Sequence, residues 1–340
     1  MQKLLTIVVP VYKVEPYINK CLDSCLIYKT DEHGERVLDE EMMNRLEVVI
    51  VNDGTPDNSA EMSREYVKCY PGTFRQIDKE NGGHGSAWNV GLNEATGEYL
   101  RFLDSDDWLT NLDRLLADLQ NCDADVVINA FDTHFVEENK ISTTSPEPVV
   151  FGAELPISKQ MWGTSAKYGY NNINFWSITY KTEILKPLYP LFAEKVMYDD
   201  YILTWAALVY GRTYKAFDYT VYNYLVGRPN QSMATSQMRK KAVSYWACFK
   251  QCEQVRGKIA SVDVPSDLLE TINSSIEGYA SFIFWYMTFL PFSDSKKKTS
   301  YLWDKYLNNN PRTSVLKRYS ILPFAVFYVV ELLRNKIAEK

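Results

Sequence analysis

The chain has 340 residues, 46% of them apolar and 24% charged, with a net charge of −6. That length fits one large domain or two ordinary ones around a sizeable core, and the acidic balance disfavours general nucleic-acid binding. No apolar run approaches the ~18 residues needed to span a bilayer, and no basic stretch leading into an apolar one opens the chain, so no signal peptide is expected.

The six cysteines, Cys21, Cys25, Cys69, Cys122, Cys248 and Cys252, show no C-x-x-C spacing. Without a secretion signal they are expected as reduced thiols in a cytoplasmic setting. His33, His84 and His134 lie far apart, which argues against a histidine-rich zinc site. The charge is uneven: residues 291–340 carry ten Lys/Arg against four Asp/Glu, so this tail is +6 and the preceding residues are −12. Such asymmetry points to a surface partner for the tail.

In chain order, residues 4–11, LLTIVVPV, read as a central strand, with Pro10 confined to its end because proline donates no ladder hydrogen bond. Residues 14–28 have the apolar spacing of an amphipathic helix, and the polar residues 30–39 read as a loop. A second buried strand, 46–51, ends in the turn Asn52-Asp53-Gly54-Thr55. Asp57 or Asn58 then caps a helix running to about residue 70. Residues 74–77 form a short strand. Asn81-Gly82-Gly83-His84-Gly85-Ser86 forms a turn into a helix over 87–95. Its glycines suit a tight turn as well as a ligand-contacting loop. Residues 98–103 are a fourth strand, 111–121 a helix and 125–131 a fifth strand.

This alternation predicts an α/β fold with a mostly parallel, doubly wound sheet over residues 1–131. Ligands of such sheets bind at the carboxyl ends of the strands. There, after the fourth strand, stand Asp104, Ser105, Asp106 and Asp107. Three clustered carboxylates repel one another unless a cation joins them, and hard oxygen ligands suit Mg²⁺ or Mn²⁺. The competing reading is that Asp106 or Asp107 caps the next helix. No G-x-G-x-x-G follows the first strand and no G-K-[ST] follows the glycines, so neither a dinucleotide fingerprint nor a P-loop is present.

From 132 to 230 the pattern changes to short aromatic strands at 174–180, 213–217 and 221–225, with a helix over 202–209 preceded by Asp199 and Asp200. Residues 236–290 read as helical and aromatic-rich. Residues 321–333, ILPFAVFYVVELL, hold one charge and have basic flanks. That composition suits a helix lying on anionic lipid or one docked on the core.

Val9-Pro10-Val11-Tyr12, Val51-Asn52-Asp53-Gly54, the Asn81-Gly82-Gly83 loop and Asp104-Ser105-Asp106-Asp107 together, in this order, resemble family 2 glycosyltransferases. The match is strong over residues 4–110 and weaker over 170–235. The resemblance implies a GT-A fold over residues 1–230, with a nucleotide-binding half at 1–131, an acceptor half at 132–230 and a helical C-terminal region at 231–340. It implies a nucleotide-sugar donor, a UDP-hexose or UDP-N-acetylhexosamine, and a divalent cation, Mn²⁺ or Mg²⁺, on Asp106. The implied donor-binding set is Pro10, Tyr12, Glu15, Asp53, Lys79, Gly83, Asp104, Ser105 and Arg228, with His84 beside the donor sugar. Tyr12 would stack on the base, and Asp53 would accept from its ring N–H. Tyr198-Asp199-Asp200-Tyr201 resembles the family's second acidic motif, with Asp199 where glutamate is usual, and Asp200 is the expected catalytic base. The expected function is inverting transfer to a glycan or polyprenyl-linked acceptor in cell-surface or capsular polysaccharide synthesis, in the cytoplasm or on the inner face of the cell membrane. Two rivals remain: a nucleotidyltransferase, although residues 11–15 lack the expected glycine, and a non-catalytic subunit that binds sugar or nucleotide beside an active transferase.

Overall fold

The computed structural model describes residues 2–146, 150–158, 174–196, 201–227, 238–257, 264, 266–308 and 314–338. Strand β1 (Leu5–Val11) is buried along its whole length, as a β-branched run covered on both faces should be. Pro10 sits one residue from its end, opposite Val51. Helix α1 (Ile18–Asp23) is much shorter than the expected helix over 14–28. The expected loop at 30–39 contains part of a hairpin of β2 (Tyr28–Thr30) and β3 (Arg36–Leu38). Its turn is built by Asp31, whose carboxylate accepts from the backbone N–H groups of His33 and Glu35 at 2.9 Å, and by Gly34 at φ +81°. Polar composition hid these strands, because both are exposed or half-exposed.

Helix α2 (Glu40–Arg45) is capped by Asp39 and leads into the buried β4 (Leu46–Asn52). Helix α3 (Ser59–Cys69) is followed by β5 (Phe74–Asp78), α4 (His84–Glu94) and β6 (Tyr99–Phe102). Gly91 lets α4 lie directly on β1: a Cβ there would stand 2.1 Å from Val8 Cγ1. After β6 comes a two-residue strand, β7 (Trp108–Leu109), and only then α5 (Leu112–Leu119). The capping alternative for Asp106 or Asp107 is therefore corrected, since the residue before α5 is Asn111.

Next come β8 (Val126–Phe135), β9 (Lys140–Thr144), β10 (Glu154–Pro156), β11 (Ile178–Lys181), α6 (Thr182–Leu185) and α7 (Tyr201–Tyr210). The two expected strands at 213–217 and 221–225 are one, β12 (Thr213–Val226), irregular between Phe217 and Tyr222. Helices α8 (Met238–Gly257), α9 (Ser266–Met287) and α10 (Phe292–Leu302) follow, the last continuing into a π-helical turn at Trp303–Leu307. The expected tail helix over 321–333 begins only after Pro323, as α12 (Phe324–Ala338), and a separate helix, α11 (Ser314–Ile321), precedes it. Proline cannot continue one helix but is well placed to open the next.

The main sheet runs β10-β12-β8-β11-β6-β1-β4-β5. Strands β6, β1, β4 and β5 are mutually parallel. Alternate β1 side chains enter different cores: Val8 joins Trp88, Phe102 and the C-terminal helices, while Ile7 and Val9 join α1 and α5. One core thus runs from the sheet through Phe249, Phe284 and Phe327.

The C-terminal helices are also tied by Glu253. Its carboxylate accepts from Lys250 and Tyr306, from Lys305 at 2.6 Å and from Tyr301 at 2.6 Å. Burial raises its pKa, but these donors outweigh burial and bring it from 4.5 down to about 2. A depressed carboxylate stabilises the fold above its unfolded pKa and loses that contribution as pH falls through the folded value. Glu253→Gln is expected to cost about 2 kcal/mol at pH 7. The gap to wild type should close as pH drops from 4.5 towards about 2. Urea unfolding of both proteins across that range checks it.

Candidate functional site

The four parallel strands place their carboxyl ends side by side, in the order β5, β4, β1, β6. Lys79, Asp53, Tyr12 and Asp104 follow these strands, so neighbours stand about one strand spacing, ~4.8 Å, apart along the sheet edge. The ladder extends into the turns: Lys79 N–H donates to Asn52 O, Asp53 N–H to Val11 O and Leu103 N–H to Val8 O, at 2.9–3.0 Å.

Asp53 is buried. Its Oδ1 accepts from Lys79 Nζ at 2.7 Å and Gly82 N–H at 2.9 Å, and its Oδ2 from Gly83 N–H at 2.8 Å. Asp53 therefore holds the glycine loop in shape. Gly83 adopts φ +90°, and a Cβ there would stand 3.1 Å from Lys195 N, so glycine is required on both counts. Tyr12 is 43% exposed beyond the end of β1. Glu15 braces the neighbouring turn: its carboxylate accepts from Asn58 N–H and Nδ2, while its own N–H donates to Asp57. Thr55 Oγ1 joins the same two turns, accepting from Lys13 N–H and donating to Asp57.

The carboxylates of Asp104, Asp106 and Asp107 each present an oxygen within 4.8 Å of the others. Asp104 and Asp106 are half-buried, and Ser105 between them is buried. His84, the first residue of α4, bonds Asp104 Oδ1 through Nε2 at 2.8 Å and packs its ring on Trp88. Asp107 is buried and turned towards β12. Its Oδ2 accepts from Tyr222 Oη at 2.6 Å and its Oδ1 from Leu225 N–H at 2.8 Å. Burial, then the charges of Asp106 and Asp104, push the Asp107 carboxyl well above the carboxylate range. This set of hard oxygen donors, mutually repelling, fits a divalent cation, with Asp104 and Asp106 as the accessible ligands.

Tyr222 straps this cluster to β12, since it also accepts from Asp104 N–H at 3.2 Å. Burial, then the charge of Asp107, pushes its phenol far up, so it keeps its proton and donates. Tyr222→Phe leaves the Asp107 oxygen and the Asp104 amide without this partner. We expect a cost of about 1–3 kcal/mol in urea unfolding, together with weaker Mn²⁺-dependent nucleotide binding.

Sequence reasoning missed Asn89. This buried side chain donates to Phe192 O at 2.9 Å and accepts from the N–H groups of Leu191 and Phe192 at 2.9 and 3.0 Å. With the Lys195 N–H to Gly82 O bond at 2.8 Å, it fastens the segment before residues 197–200 to α4 and the glycine loop. The available signal was an amide among Ala87, Trp88 and Leu92 on a buried helix. Of the residues predicted from the sequence, the structure brings together Asp53, Lys79 and Gly83, and separately Asp104 and Asp106. Pro10 lies within β1, and Glu15 lies beside α3. Asp200 and Arg228 lie outside the described residues.

Residues 6–182, just over half of the chain, match the family described as Glycosyl transferase family 2. The chain belongs to this family. Among its relatives, the glycosyltransferase EpsJ of Bacillus subtilis is 28% identical over 249 residues, 72% of this chain and 66% of EpsJ, so the match falls just short of two thirds of that protein. The teichoic acid poly(glycerol phosphate) polymerase of Staphylococcus epidermidis is 37% identical over 108 residues, 32% of this chain and 13% of the polymerase. Among solved structures, S. aureus TarS superposes with a TM-score of 0.63 at 17% identity, covering 98% of this chain and 54% of TarS. TarS 1–349 in complex with UDP-GlcNAc gives 0.54 at 17% identity, covering 91% of this chain and 93% of that one. The mannosyltransferase PcManGT of Pyrobaculum calidifontis, in complex with GDP-Man and Mn²⁺, gives 0.50 at 14% identity, covering 100% and 89%. These likenesses establish the GT-A fold, with its mostly parallel sheet and aromatic-rich C-terminal helices.

Proposed function

We propose that this family 2 chain is an inverting glycosyltransferase that moves a hexose or N-acetylhexosamine from UDP to a hydroxyl of a glycan or polyprenyl-linked acceptor in cell-surface polysaccharide synthesis. The observation that carries the reading is the pairing, on one sheet edge, of the Asp53-anchored glycine loop with the Asp104–Asp106 carboxylates. The UDP-GlcNAc complex of the similar TarS 1–349 and the likeness to a teichoic acid polymerase support donor and setting. Synthesis of this kind places the chain in the cytoplasm.

Tyr12 offers an exposed ring for the nucleobase. Asp53 Oδ1 already has two donors, but Oδ2 accepts only from Gly83 N–H among the bonds described, so it retains a lone pair for a ring N–H. Lys79 and Gly83 shape the loop beside it, and Pro10, Glu15 and Ser105 set the turns that line the pocket. Asp104 would serve the ribose or a metal-bound water, and Asp106 would ligate Mn²⁺ or Mg²⁺, a role that the Mn²⁺ complex of the similar PcManGT supports. When bound, such a cation supplies positive charge against the departing diphosphate. Asp200 takes the proton of the acceptor hydroxyl as that oxygen bonds to C1, while the C1–O bond to UDP breaks and its electron pair leaves with UDP. Arg228 would clamp phosphate oxygens. The roles of Asp200 and Arg228 rest on the sequence resemblance.

A thermal-shift panel of nucleotide diphosphates, with Mn²⁺ and with EDTA, tests the reading. A ligand that binds only the folded state raises the melting point. Stabilisation by UDP that EDTA abolishes is the expected result. Stabilisation by GDP would keep the fold and change the donor, and no shift with any nucleotide would overturn the donor assignment.

A further inference from the structure

The rotation of α12 is fixed by what its inner face holds. Phe327 is fully buried between Phe284 and Tyr319, with ring centroids 6.2 and 5.1 Å away. Glu331 is buried and accepts from Arg318 Nε of α11 at 2.6 Å, and Tyr328 Oη donates to Leu290 O at 2.7 Å. These ties leave the opposite face outside. There Val326, Val329 and Leu333 follow each other at i, i+3 and i+7, exposed by 49%, 54% and 58%. That spacing is one continuous stripe of a helix.

Ile321, at the bend before α12, is 76% exposed as well. Phe292, at the start of α10, packs on Phe324 and Tyr328 of α12, away from the stripe. Exposed Lys317 precedes the bend, and exposed Arg334 follows Leu333 at the end of the stripe. The tail as a whole carries +6 on a chain whose remainder carries −12. No helix among the described residues is long and apolar enough to cross a membrane. A 15-residue helix is only about 22 Å long, against a hydrocarbon core of ~30 Å.

We infer that the outer face of α12, with Ile321 at its start, docks in the plane of an anionic bilayer. Apolar side chains would enter the acyl boundary while Lys317 and Arg334 meet acidic headgroups. A protein partner or a second copy would cover the apolar stripe equally well, but these basic residues on an otherwise acidic protein select a negatively charged surface.

Vesicle flotation of the full chain tests this, with phosphatidylcholine alone and with phosphatidylglycerol added. Wild type should float with the anionic vesicles and remain with the soluble fraction on the zwitterionic ones. Val329→Ser with Leu333→Ser should lower binding at least tenfold. Lys317→Glu with Arg334→Glu should lower it roughly fivefold per charge. Both variants should keep the wild-type melting point and donor binding, because all four side chains are exposed. Equal binding to both vesicle types, wild-type binding by the serine variant, or a wild-type dimer in sedimentation that the serine variant dissolves, without vesicle binding, would each overturn the assignment.

Discussion

Asp106→Ala is expected to reduce transfer by about 10³-fold or more and to remove the cation-dependent part of nucleotide binding without weakening the fold. The two effects separate because the cluster opposes itself. Three carboxylate oxygens lie within 4.8 Å of one another, and the charges of Asp106 and Asp104 help to hold the Asp107 carboxyl up. Removing Asp106 takes away one source of that repulsion. In EDTA the variant should unfold at the wild-type temperature or above it. In Mn²⁺ with UDP, wild type gains about 2.7 kcal/mol at a hundred times Kd, and the variant should gain nothing. A variant stabilised by UDP and Mn²⁺ as strongly as wild type would remove Asp106 from the donor site. Asp107→Ala is a poor substitute for this experiment, since Asp107 also holds Tyr222 and Leu225.

Local chemistry explains which parts of this site were legible in the sequence. The strands β1 and β4 are buried and rich in β-branched residues, and the turns after β4 and β5 carry their own markers in Asn52-Asp53-Gly54 and Gly82-Gly83. The acidic cluster lies within four consecutive residues. Asn89 carries no such marker, because its partners lie 102 and 103 residues further along the chain. Tyr222 was visible as part of an aromatic strand, but its hydroxyl acts on Asp107 across 115 residues. The hairpin of β2 and β3 was hidden for the opposite reason: exposed strands need no apolar alternation, so their turn chemistry at Asp31 and Gly34 is the only sign of them. The tail divides differently. Its composition suited both a docked helix and an interfacial one, and burial on one side of α12 with exposure on the other shows why the sequence alone did not choose.

Asp200→Asn is expected to lower kcat by about 10²–10⁴-fold, the range for losing a positioned general base, while leaving donor affinity unchanged. The substitution is informative because Asp200 immediately precedes α7 (Tyr201–Tyr210), where an aspartate ordinarily caps the helix. Asparagine caps a helix nearly as well as aspartate, so a residue that only capped would tolerate the change in both stability and rate. A base would not, because the amide has the same shape and no site that takes up a proton at neutral pH. The measurement is therefore a pair: melting temperature with UDP and Mn²⁺, and single-turnover transfer to acceptor across pH. Unchanged melting with lost transfer, and loss of the acid-side limb of the wild-type pH profile, marks the base. Unchanged melting with unchanged transfer returns Asp200 to helix capping and moves the search to Asp199. Asn89 and the Lys195–Gly82 bond would still anchor the segment leading to it. Lost melting stability with partial transfer would instead make the motif a structural joint, and then donor hydrolysis without acceptor should fall in step with transfer.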